Sequence, residues 1–103
     1  MRIVESRNRV PIRLTEERWA HIRRRHPEVE HERDRVLETV SDPYLIQEGD
    51  AAELLAIRRY ERTTLSEKYL VVAYREVSPE DGFVVTAYLT NEPSARRRTV
   101  WKR

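Results

Sequence analysis

Three consecutive segments constrain this chain more than any others: Lys68–Val77 (KYLVVAYREV), Ser78–Gly82 (SPEDG) and Phe83–Glu92 (FVVTAYLTNE). Two runs rich in β-branched and aromatic residues, joined by Pro-Glu-Asp-Gly, predict a β-hairpin. In the second run Phe83, Val85, Ala87 and Leu89 alternate with Val84, Thr86, Tyr88 and Thr90. Strand side chains alternate between faces, so one face is expected to be apolar and the other to carry hydroxyls. With Pro79–Gly82 as the loop, Ser78 faces Phe83 and Arg75 falls opposite Thr86. That register places a guanidinium, two threonines and a tyrosine on one open surface, suited to an anion such as phosphate.

The segments before the hairpin divide into extended and helical pieces. Arg2–Glu5 and Val10–Leu14 read as short extended stretches, and Pro11 limits the second to an edge or a strand start. Thr15 is an N-cap, with Glu16 and Glu17 placed where acids complement the helix dipole. The helix that follows is expected over Glu16–Arg25, with Trp19, Ile22 and His26 on its inner face. Pro27 pushes His26 into extended geometry and suits the first position of a second helix, Pro27–Val40. Val29, Val36, Leu37 and Val40 form that helix's buried stripe, and Asp42-Pro43 ends it.

Beyond it, Tyr44–Glu48 and Leu54–Glu61 read as strands around a Gly49-Asp50 turn, and Arg62–Glu67 as a polar loop. In the tail, Thr99–Trp101 supplies a short edge strand. Helices first and strands afterwards predict an α+β fold. The expectation is two N-terminal helices packed on one face of a four-stranded antiparallel sheet, with short extra edge strands from the termini, in one domain over 1–103.

Charge is sorted along the chain. Met1–Arg35 carries ten Arg against seven acids, whereas Val36–Ile57 carries five acids and no base. Five bases and two acids follow in Arg58–Arg75, four acids in Glu76–Glu92, and five bases without an acid in Pro93–Arg103. Such alternation is expected when a fold directs opposite charges to different surfaces. Eighteen of the 20 bases are Arg, whose planar fork matches phosphate, although a GC-rich genome produces the same enrichment. The tail residues Arg96, Arg97, Arg98, Lys102 and Arg103 surround Trp101. They either attract nucleic acid or stay solvated while Trp101 anchors the C-terminus.

Cysteine is absent, which excludes disulfides and thiolate metal sites. The three histidines show no HxxxH or HExxH spacing, so neither a metal nor another cofactor is expected. No apolar run approaches the roughly 20 residues needed to span a bilayer. The N-terminus is too polar for a signal peptide, so the expected location is the cytoplasm, with no membrane partner.

Four strings now combine in a fixed order: PIRLTEERWAHIRRRHPEV, SDPYLIQEG, KYLVVAYRE, and DGFVVTAYLT with a closing TVW. Together they resemble a family of small uncharacterised prokaryotic proteins in the barnase–EndoU–colicin–RelE (BECR) nuclease-like superfamily. The likeness spans Pro11–Trp101. It implies two helices followed by a four-stranded antiparallel sheet, and a metal-independent ribonuclease or toxin-like protein whose partners are RNA and a cognate protein inhibitor. The strings most like shared functional elements are His26-Pro27-Glu28 and the Thr86-Ala87-Tyr88-x-Thr90 run. The basic sheet face of ribosome-dependent toxins is missing, with only Arg58, Lys68 and Arg75 as substitutes.

A metal-independent ribonuclease must take a proton from the 2′-OH, protonate the leaving oxygen and stabilise charge on phosphate. Histidine is the natural proton carrier near neutral pH, and Arg and hydroxyls suit the phosphate. The catalytic candidates are therefore His26, Arg75, Thr86 and Tyr88. The nucleic-acid-binding candidates are Arg58, Lys68, Thr90, Arg96, Arg97 and Arg98. His26 serves equally as a helix-terminating residue packed on Trp19, and Thr86, Tyr88 and Thr90 suit any strand. The alternative function is a non-catalytic module on the same fold that binds nucleic acid or protein.

Overall fold

Thr15 opens the first helix as the sequence predicts: its side chain accepts from the Arg18 backbone N–H at 3.1 Å. Such a cap stabilises a helix by about 1 kcal/mol. The structure, a computed structural model, describes residues 1–66 and 68–103. Helix α1 covers Glu16–Arg25 and buries Trp19 and Ile22. It stops where Pro27 requires, with His26 at φ −133°, ψ 74° and its N–H bonded to the Ile22 carbonyl.

The second helix differs from the expectation. Pro27–Val29 is a single 3₁₀ turn, and helix α2 begins only at Arg33 and ends at Ser41. Residues 30–32 interrupt it, although the expected stripe of Val29, Val36, Leu37 and Val40 is fully buried. Arg33 ties the two helices together through Glu16 at 3.2 Å, and this guanidinium holds the Glu16 carboxyl below the usual carboxylate range.

The strands are β1 (Arg2–Glu5), β2 (Pro11–Leu14), β3 (Leu45–Glu48), β4 (Leu54–Arg59), β5 (Tyr69–Ser78), β6 (Asp81–Thr90) and β7 (Thr99–Lys102). They form one seven-stranded sheet in the order β1-β2-β6-β5-β4-β3-β7. The four-stranded antiparallel sheet is thus corrected to a seven-stranded mixed one within an α+β fold. The reason lies in β2. Pro11 is tolerated because it starts the strand, and β2 then pairs antiparallel with β1 and parallel with β6. The last residue of the expected 62–67 loop, Glu67, lies outside the described residues.

Parallel pairing is confined to Ile12↔Gly82 and Arg13↔Phe83. A Cβ on Gly82 would meet the Arg75 carbonyl and the Ile12 Cδ1, each at 2.5 Å. Gly82 is therefore required by close approach of β2 and β5, not as a turn residue. The hairpin register also differs: Ser78 pairs with Asp81 and Arg75 with Phe83, so Pro79 and Glu80 alone span the turn. Thr86 lies opposite Ala73, and a bulge at Val85 shifts the alternation. Val84, Ala87 and Leu89 consequently face the helices instead of Phe83, Val85, Ala87 and Leu89.

Both helices pack on one face of the sheet. Ile12, Leu14, Trp19, Ile22, Val36, Val72, Tyr74 and Val84 belong to that core. The opposite face carries a smaller cluster of Leu55, Ile57, Val71 and Ala73, with no helix over it. A side chain links the two ends of the sheet: the Arg7 guanidinium, in the turn after β1, sits 4.9 Å from the Trp101 ring of β7. No helix among the described residues is long and apolar enough to cross a membrane.

Candidate functional site

The helix-free face is apolar at its centre, and the segment after β6 folds over part of it. Leu55 and Ile57 from β4 and Val71 from β5 floor a cleft of about 150 Å³. Its walls are Gln47 of β3, Tyr88 and Thr90 of β6, and Glu92, Pro93, Ser94 and Arg97 beyond β6. Register explains the grouping. Gln47 pairs with Leu55, Ile57 with Val71, and Val71 with Tyr88, so these side chains share one face across four adjacent strands.

The overlying segment is held by side chains from β3 and the turn after it. Gln47, 4% exposed, donates through Nε2 to the Ser94 carbonyl at 2.9 Å. Its Oε1 is buried without a hydrogen-bond partner among the described residues. Arg97 donates through Nη1 to Asp50 at 3.3 Å and the Glu48 carbonyl at 3.4 Å. The bond to Asp50 raises the Arg97 pKa, so the guanidinium stays charged at the cleft. Asp50 is placed by a tight turn in which the Glu53 N–H bonds the Asp50 carbonyl.

His26 reaches this face from its side. Beyond Phe83, β6 has no pairing with β2, and the 3₁₀ turn after α1 packs against it there. The His26 ring lies 5.8 Å from the Tyr88 ring, centroid to centroid, at an interplanar angle of 36°. Its Nδ1 is 3.5 Å from Glu28 Oε2, and both side chains are partly buried. A carboxylate beside Nδ1 favours the tautomer that carries its proton there, in which Nε2 is the basic nitrogen. Tyr88 is common to the imidazole contact and the cleft.

The other predicted residues are dispersed. Tyr88, Thr90 and Arg97 meet at the cleft, with the Thr90 hydroxyl donating to the Glu92 carbonyl at 3.2 Å. Arg75 is exposed opposite Phe83, outside the cleft lining, and Thr86 shares the face without lining it. Arg58 points to the helix side, bonding Asp42 at 2.9 Å and stacking near Tyr44 and Tyr60. Lys68 donates to the Glu61 carbonyl, Arg96 is exposed, and Arg98 lies 3.6 Å from Glu48. Among the described residues no three His, Asp or Glu side chains gather as a metal-ligand set.

Sequence reasoning missed Gln47, Ser94 and Glu92, and it gave Glu28 no separate role. Only the His-Pro-Glu string carried a signal for Glu28, since i and i+2 flank the proline that ends α1. Gln47 sits in a short strand where a polar residue ordinarily marks a solvated face. No family model matches this chain, and no curated protein or solved structure matches it either.

Proposed function

We propose that this chain is a metal-independent endoribonuclease acting on single-stranded RNA at the cleft of the helix-free face. The observation that carries this reading is the Glu28–His26–Tyr88 arrangement beside a cleft that holds a charged Arg97. In the reaction His26 Nε2 takes the 2′-OH proton as the 2′ oxygen bonds phosphorus. The bond from phosphorus to the 5′ oxygen breaks, and water in the open cleft protonates the departing oxygen. Tyr88 offers a hydroxyl, and Arg97 a cation, to the charge that develops on phosphate. Arg97 takes the role that the sequence suggested for Arg75, because Arg75 stands outside the cleft.

The reading is tested by incubating single-stranded RNA with the protein in EDTA and identifying the ends. It requires 2′,3′-cyclic phosphate and 5′-hydroxyl ends, with DNA of the same sequence untouched. Intact RNA, or equal cleavage of DNA, would reject it.

The second reading is a non-catalytic RNA-binding module. It is favoured by the three exposed arginines that end α1, Arg23, Arg24 and Arg25, which offer a basic surface away from the cleft. It predicts salt-dependent retention of RNA without turnover.

A further inference from the structure

We propose that the cleft is a base pocket that accepts a pyrimidine of single-stranded RNA, with Gln47 Oε1 receiving an N–H of the base; this rests on the RNA-directed reading above. Gln47 is almost completely buried, and its Nε2 is committed to the Ser94 carbonyl. Rotating the amide would set its oxygen against that carbonyl oxygen, so Oε1 is fixed as the acceptor of a side chain that lines the cleft. Buried acceptors without donors are rare because their desolvation goes uncompensated. An incoming N–H supplies the missing donor.

Size favours one class of base. The cleft holds about 150 Å³, comparable to a protein cavity that takes one benzene ring. A pyrimidine is a single six-membered ring, whereas a purine adds a fused second ring. Leu55, Ile57 and Val71 give the ring an apolar floor and Tyr88 an aromatic wall. Uracil offers N3–H and cytosine its exocyclic N4–H₂ to Oε1. Arg97, which Asp50 also holds, is the cation of the cleft lining available to the adjoining phosphate, and Glu92 is the anion of that lining.

The test uses the His26→Ala protein, so that binding is read without cleavage. Fluorescence anisotropy with ten-nucleotide oligo-U, oligo-C and oligo-A should show the two pyrimidine strands binding at least about 10-fold tighter. Gln47→Leu should remove that preference. On the unsubstituted protein, the Gln47 side-chain amide resonances should move on adding uridine monophosphate and not adenosine monophosphate. Equal binding of the three strands, no binding, or an unmoved Gln47 amide would overturn the proposal. The pyrimidine preference tests the pocket alone, because the ribonuclease reading is decided separately by cleavage with the unsubstituted protein.

Discussion

His26 and Tyr88 touch ring to ring, 5.8 Å between centroids, although one ends a helix and the other belongs to the far face of the sheet. The contact exists because β2 leaves β6 after two residue pairs and exposes the rest of that strand's edge to the turn after α1. On the proposed ribonuclease reading, Glu28, 3.5 Å from Nδ1, is a positioning residue for the imidazole. Glu28→Gln should lower kcat for RNA cleavage about 10-fold with KM unchanged. A rise in KM at constant kcat would mean that Glu28 contacts substrate instead.

Tyr74 is fully buried in the main core, and its hydroxyl has no hydrogen-bond partner among the described residues. Burial, and secondarily the Glu76 charge, push its pKa well above the ordinary tyrosine value. An orphaned hydroxyl of this kind costs about 1–3 kcal/mol. Tyr74→Phe should therefore raise the urea midpoint. A fall of more than about 1 kcal/mol in unfolding free energy would show that the hydroxyl is satisfied.

How much of this was legible in the sequence depends on whether the signal is local. Helix α1 was readable residue for residue, because Thr15 and Pro27 mark its ends through backbone chemistry confined to neighbours. The α2 stripe was readable from its spacing, though the break at residues 30–32 was not. The register of β6 was not readable: Val84 and Val85 are both apolar, so alternation cannot show which of them is the bulge. Likewise β2 joins β6 through a long-range parallel contact that leaves no periodic trace. The cleft depends on those same registers. His26, Tyr88, Thr90 and Arg97 could be named as chemistry-bearing side chains, but the choice of Arg97 over Arg75 required the pairing of strands.

Gly82 tests that long-range contact. Adding a methyl group would press on the Arg75 carbonyl and Ile12 at the β2–β6 junction. Gly82→Ala should destabilise the protein by about 1–3 kcal/mol, the usual range for overpacking. The check is equilibrium denaturation, and unchanged stability would contradict the tight junction.

The turn between β3 and β4 stores strain. Ala51 and Ala52 adopt φ of 51° and 66°, in the left-handed region that disfavours residues with a Cβ. A tight hairpin turn of this hand ordinarily carries glycine. Ala52→Gly should raise stability by up to about 1 kcal/mol and leave the Arg97–Asp50 contact in place. Loss of stability in thermal melts would count against the strained turn.

The most direct test of the central claim compares turnover of single-stranded RNA in EDTA by the unsubstituted protein, His26→Ala and Arg75→Ala. The predicted result is cleavage that falls about 100-fold or more in His26→Ala and changes less than about 3-fold in Arg75→Ala. Cleavage that persists unchanged without the His26 imidazole, or that never occurs with it, would contradict the assignment.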